Sequence, residues 1–371
     1  MELTLARQHS WGFGFDGECM QGTNSTADLL VPFGPLDYGV GRSVKSFAVG
    51  QFLTCAILMA NTTLGLSQAA KCHGRNDHGQ SGAFPANAPT FVGRAFLGDS
   101  LPAIAFGGGR IPLSVSAGIT RGVACFVLFD GTTSTLLCIG DSSAGALGAY
   151  AYDIGAGSQP TDVTTTVPAQ FYDAVDVAGN TNNLQLWGWN LPSTTLTLPL
   201  YTTLVFTVST ANGQAGETAH DVVWNSGGGT LFPCVVSGGQ TLLAATTQGA
   251  VTFHFTSSGT YIFVSDVSVG LGSDCSSYGM QLIVTVTSSP APVRNVTTVV
   301  TSGDDTYVLL STGQLLGAGI NKYGELAQFP TAANAGFFPP PLSFSPLWIS
   351  TMAAGTDFLC FTTATSHNLF W

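Results

Sequence analysis

Residues 43–82 read SVKSFAVGQFLTCAILMANTTLGLSQAAKCHGRNDHGQSG. An apolar run ends at Gly50, a second carries Cys55, and a third reaches Cys72 before a turn rich in Gly, Asn and Asp. Short runs punctuated by such turns predict the hairpins of an antiparallel sheet. His73 and His78 stand near Cys72, but zinc needs two further ligands at matching spacing and none follows. Cys55 and Cys72 instead fall on adjacent strands of one hairpin, where a disulfide would constrain the unfolded chain by roughly 3 kcal/mol.

The same order recurs in LSVSAGITRGVACFVLFDGTTSTLLCIGDSSAGALG (113–148), NVTTVVTSGDDTYVLLSTGQLLGAGINKYGELA (295–327) and WISTMAAGTDFLCFTTATSHNLFW (348–371). Each copy runs to a glycine, namely Gly50, Gly118, Gly303 or Gly355, and then enters a second strand. Glycine is expected there for positive φ or for close approach of a neighbouring unit. Cys125 and Cys138 occupy the places of Cys55 and Cys72, so a second hairpin disulfide is expected. Cys360 takes the Cys55 position in the last copy. Cys19 lies in the opposite end segment, which makes Cys19–Cys360 a further candidate bridge.

AVGQFLTCAI (48–57) with CHGRNDHGQSG (72–82), and AGINKYGELA (318–327), resemble the regulator-of-chromosome-condensation repeat family. The resemblance implies β-propeller blades. SWGFGFDGECMQG (10–22) looks like the tail of such a blade and HNLFW (367–371) like a blade stopping before its tail. Two such half-blades would leave strand edges that call for a partner, either the other end of the chain or another molecule.

Spacing exposes an interruption. Gly50 to Gly118 is 68 residues and Gly303 to Gly355 is 52, yet Gly118 to Gly303 is 185. A separate domain is therefore expected between the second and third copies, giving propeller-type repeats over 1–165, an inserted domain over 166–290 and further repeats over 291–371. The inserted stretch holds FYDAVDVAGN, NLQLWGWNLP, TTLVFTVST, TAHDVVWNS, LFPCVVSGG, AVTFHFTSSGTYIFVSDV and GMQLIVTVT, whose alternation predicts an all-β, Greek-key sandwich.

Within it, LVF with AHDVVW, and GTYIFV with DCSSYGMQLIVTV, resemble cupredoxins of the phytocyanin type. The resemblance implies a Cys234–Cys275 disulfide and places His220 at the first copper-histidine position and Met280 at the axial one. A type I copper site also needs a thiolate and a second imidazole. Val264 or Ser265 stands at the thiolate position and Asp274 at the second histidine position, so the set is degenerate and no metal or other cofactor is expected. His254, between Phe253 and Phe255, reads as an outward or satisfied strand residue.

Composition sets the compartment and excludes some functions. Charged residues make up 8% of the 371, with 10 Lys and Arg against 21 Asp and Glu and a net charge of -11. Such a surface repels nucleic acid, whose binding rests on Lys and Arg neutralising phosphates. Eight cysteines, with sequons at Asn24, Asn61 and Asn295, point to a glycosylated chain in an oxidising compartment, extracellular or at the cell surface. There is no apolar run of membrane-spanning length, and the start lacks a signal-peptide core, which suggests a processed piece of something longer.

The sequence contains no Gly-x-Ser-x-Gly elbow, P-loop or His-Glu-x-x-His motif. FFPPPLSFSPLW (337–348) reads as a Pro-rich linker. The expected function is a non-enzymatic structural building block of a fibre, appendage or coat, self-associating or joining related repeat chains through its terminal half-blades. An extracellular ligand- or protein-binding propeller is the alternative; a copper electron-transfer protein stands third.

Overall fold

The computed structural model describes residues 12–14, 25–29, 36–62, 65–83, 91–92, 98–107, 109–119, 122–141, 174–176, 187, 195–209, 219–225, 240–246, 248–269, 272–273, 275, 280–320, 349–356, 358–363 and 369–370. These residues form an all-β protein. Strands β1 (Gly12–Gly14) and β2 (Ser25–Leu29) make a small antiparallel pair. Strands β3 (Arg42–Val49), β4 (Leu53–Thr62), β5 (Gly65–Arg75) and β6 (Phe91–Val92) then form the first repeat sheet in that order. The second sheet is β7 (Ile111–Ala117), β8 (Ala124–Phe129) and β9 (Ser134–Ile139).

The chain next builds two sheets around a core of their own. They use β10 (Ala174–Asp176), β11 (Thr195–Leu200), β12 (Thr203–Ser209), β13 (His220–Asn225), β14 (Gln240–Thr246), β15 (Gln248–His254), β16 (Gly259–Val264) and β19 (Gln281–Pro290). The ribbon of β17 (Ser268–Val269) and β18 (Gly272–Ser273) projects between β16 and β19. The orders are β10-β12-β15 and β11-β19-β16-β13-β14, with β10 parallel to β12 and β11 parallel to β19. Trp187, Phe206, Phe255, Phe263 and Leu282 fill the space between. Trp187 meets Phe206 edge-on at 5.1 Å, and its indole N–H is satisfied by the Asp221 carbonyl at 2.8 Å, as a buried tryptophan requires.

Two further repeat sheets follow. One is β20 (Val296–Thr301), β21 (Thr306–Leu310) and β22 (Leu315–Ala318); the other is β23 (Ile349–Ala354), β24 (Leu359–Thr363) and β25 (Leu369–Phe370). The four repeat sheets stack in series. Leu53, Cys55 and Cys72 of the first pack on Phe126, Leu128 and Leu137 of the second. Cys125, Val127 and Cys138 pack on Val299, Val308 and Leu316 of the third, although the sandwich separates those sheets in sequence. Tyr307 and Leu315 then meet Met352, Ala354 and Leu359 of the fourth. Strands β8 and β21 are covered on both faces, which is why ACFVLF and TYVLL are continuous apolar runs rather than alternating ones.

The register shows what the repeat conserves within this chain. Cys55 lies opposite Cys72, Cys125 opposite Cys138, and Tyr307 opposite Gly317. The third sheet thus fills the disulfide position with one large side chain over a glycine. Gly74, Gly140 and Gly319 close the third strands with φ of 122°, 121° and 136°. At each of them a Cβ would collide with the carbonyl oxygen of Phe52, Gly122 or Asp304. Gly50 has a different reason, close approach, since a Cβ there would strike the Gly118 carbonyl of the next sheet. One expected position shifts: the amide facing back across the turn, Gly50 to Leu53 and Gly355 to Phe358, belongs in the third copy to Ser302, which bonds Asp305. Gly303 instead reaches across to the Thr356 carbonyl of the fourth sheet at 3.2 Å.

Candidate functional site

The turn that follows Cys72 is built from its own polar groups. Asn76 Oδ1 accepts from Ser81 N at 3.1 Å and from Ser81 Oγ at 2.7 Å. Gln80 Nε2 donates to Asp77 Oδ1 at 2.8 Å, and His78 N donates to Gln80 Oε1 at 2.9 Å. Arg75 Nε donates to Asp77 Oδ2 at 2.6 Å while its guanidinium lies over Phe52. Burial alone would raise the Asp77 carboxyl, but the bonds from Gln80 and Arg75 and the neighbouring positive charge hold it below its usual range. Asn76, Gln80 and Ser81 are buried, so the turn works as a bracket between strands. His73 Nε2 sits 3.3 Å from the Tyr38 hydroxyl. Among the described residues, His, Cys, Asp and Glu nowhere form a group of three that could hold a metal ion.

A second polar cluster lies on the first sheet. Lys71 is 1% exposed, and its ammonium donates to the carbonyls of Tyr38 at 2.8 Å and Gly98 at 2.9 Å. Burial is the main cause that lowers its pKa to about 8; Arg42 adds to the fall, and Asp99 and Asp37 oppose it. The same burial pushes the Tyr38 phenol up. Lys71 pairs with Ala56 as Leu137 pairs with Phe126. It therefore occupies the place of an apolar residue that contacts the preceding sheet, and here it ties down the segments 36–38 and 98–101 instead.

Cys55 and Cys72 are joined with their Cα atoms 4.1 Å apart, and Cys125 and Cys138 at 4.0 Å. All four sulfurs are in the buried core. Among the described residues Cys360 is a free thiol, while Cys19, its candidate partner, is not among them. Cys275 is disulfide-bonded. Cys19, Cys234, Asn24 and Asp274 lie outside the described residues, as does the Pro-rich 337–348 stretch.

Of the residues expected at degenerate copper-ligand positions, His220 opens β13, and His220, Ser265 and Met280 are all buried. Ser265 N donates to the Met280 carbonyl at 3.2 Å, and Ser265 Oγ donates to Asp221 Oδ1 at 3.0 Å. Asp266 N reaches the same Asp221 oxygen at 2.7 Å. A hydroxyl bonded to a carboxylate is not the thiolate that type I copper requires. His254 is satisfied through Nδ1 and Thr203 Oγ1 at 3.1 Å and stacks on Tyr201. Asn295 is exposed, and its side-chain oxygen accepts from Ser134 N at 2.8 Å, pinning the entry of β20 to β9.

The surface features that sequence reading missed are the two ends of the stack. In the second to fourth sheets, Val115, Val299 and Met352 of the first strands pack against the preceding sheet. The registers place Phe47 at the same position in the first sheet, and there it is 54% exposed. Val49, equivalent to buried Ala117 and Thr301, is 55% exposed. At the other end Phe358 stands where Leu53 and Val123 are buried beneath a following sheet, and it is 55% exposed.

No protein-family model and no curated protein sequence matches the chain. Among solved structures, it is similar to human WBSCR16, with 15% identity and a TM-score of 0.40 over 96% of this chain and 72% of that one. It is also similar to Prp20p from Saccharomyces cerevisiae, with 12% identity and a TM-score of 0.38 over 98% of this chain and 65% of that one. The ectodomain of the Physcomitrella patens receptor kinase CR4 matches at 11% identity and a TM-score of 0.27, over 93% of this chain and 52% of that one. The chain thus spans about two thirds of the length of Prp20p. The similarity to WBSCR16 and Prp20 is to β-propellers of RCC1 type.

Proposed function

We propose that this is an extracellular or cell-surface structural protein, a non-enzymatic building block of a fibre, appendage or coat. In this reading its four repeat sheets are RCC1-type propeller blades, interrupted by a copper-free cupredoxin-like sandwich. The observation that carries the proposal is the pair of disulfides at one register position in the buried core of successive sheets. Hairpin staples of that kind persist in oxidising compartments, and they add stability where charge is scarce. The cupredoxin-like assignment draws support from the two parallel pairs that close the sheets, β10 with β12 and β11 with β19. His220 at the start of β13, Met280 immediately before β19 and a bonded Cys275 support it further.

Polar groups in the turn after Cys72 and beside β16 are spent internally, Asn76 on Ser81 and Ser265 on Asp221. That favours scaffold over reaction. Glycans on Asn24, Asn61 and Asn295 belong to the same proposal, as do partners that are copies of this chain or related repeat chains. The test is intact mass before and after deglycosylation, together with particle size, on material from its native source. Glycan mass and a large regular particle are expected. An unglycosylated monomer would return the ligand-binding propeller to first place.

A further inference from the structure

We propose that copies of this chain join head to tail, with the exposed face of the fourth repeat sheet of one molecule seated on the exposed face of the first repeat sheet of the next. The inference rests on the assembly reading above and names its surfaces. Its template lies inside the chain. Each junction in the stack places the trailing face of one sheet on the leading face of the following one, and the contact repeats at three places. At the second junction Ser116 Oγ lies 2.9 Å from Thr301 Oγ1, and Ile119 N donates to the Ser302 carbonyl at 3.2 Å.

Mapped through the strand registers, Ser116 corresponds to Ala353 in the fourth sheet and Thr301 to Val49 in the first. Ala353 and Val49 are both exposed. Phe47 and Val49 offer the leading face, Phe358 and Ala353 the trailing one, and both are open in the same molecule. They therefore do not meet within one chain. The leading face differs from its internal counterparts over β4 and β5, where Lys71 holds the 36–38 and 98–101 segments in place. Contact is thereby confined to β3 on the leading face and to β23 with the entry of β24 at Phe358 on the trailing one. Because the two surfaces are different, the interface is heterologous, and such contacts build closed rings or open filaments rather than isologous dimers.

The experiment is light scattering on the full-length oxidised chain across a concentration series, with Phe47→Glu, Phe358→Glu and their equimolar mixture. Wild type is expected to grow beyond a dimer, and each variant alone to stay monomeric. The mixture should stop at a one-to-one dimer, since one variant keeps the leading face and the other the trailing face. Val49→Glu, judged by retention of both hairpin disulfides, repeats the test at a second position. A Val49→Cys, Ala353→Cys, Cys360→Ser chain should form intermolecular disulfide ladders on oxidation. A monomeric wild type overturns the assembly reading itself. An assembling wild type whose variants also assemble alone, or whose mixture stays monomeric, overturns only the choice of faces.

Discussion

The first and second repeat sheets share a backbone plan and differ in what one face carries. Both have a cross-strand disulfide at the same register, and both close on a glycine with φ near 120°. On the leading face, however, the second sheet has Ala124, Leu137 and Ile139 where the first has Thr54, Lys71 and His73. The apolar set packs on a neighbouring sheet, whereas the polar set holds a loop and a segment of the same chain. Backbone chemistry makes the repeat, and the side chains of one face decide whether β4 and β5 are covered by a neighbouring sheet or by segments of the same chain.

Exchanging the faces should break the comparison most severely. Leu137→Lys puts an ammonium into the apolar core between two sheets, and an uncompensated buried charge costs about 3–5 kcal/mol. Chemical denaturation should show that loss as collapse of the repeat stack while the sandwich core around Trp187 keeps its fluorescence. Removing a staple comes next. Cys125→Ala with Cys138→Ala should lower stability by about 3 kcal/mol, read as a lower denaturant midpoint under oxidising conditions.

A subtler difference is pH dependence. The folded pKa of Lys71 is lowered to about 8 from 10.5, so between those values the unfolded chain holds a proton that the folded chain has released. Stability from this group therefore rises as pH climbs through that window and is flat below it. The rise should vanish in Lys71→Met when melting temperature is followed from pH 7 to pH 10. The smallest effect is expected at the open end: Phe47→Ala should change monomer stability by about 0.5 kcal/mol or less, as exposed substitutions do, whereas Val299→Ala, at the same position in the third sheet, should cost several times more.

Much of the stack was legible because its signals are local. Cysteine spacing, turn glycines and apolar runs all fall within one hairpin, and the strands through Cys55, Cys125 and Val308 follow the reading of the sequence. The sandwich was less so. Strands β11 and β14 were not foreseen; both are sheet edges, and QTLLAAT of β14 is half-exposed along its length, so its alternation is weak. Ser302 was passed over for Gly303 because glycine is the stronger turn signal. Lys71 was missed although a usable signal existed, a lone lysine at a place where the next copy has Leu137. The open faces at Phe47 and Phe358 could not be read from sequence, since apolar strand residues look alike whether covered or bare.

The account rests most directly on the two core disulfides. Protein from its native source, denatured, alkylated without reduction and digested, should yield Cys55–Cys72 and Cys125–Cys138 as linked peptides, with Cys360 alkylated. Full alkylation of Cys55, Cys72, Cys125 and Cys138 before any reductant is added would contradict the oxidising compartment and the structural role built on it.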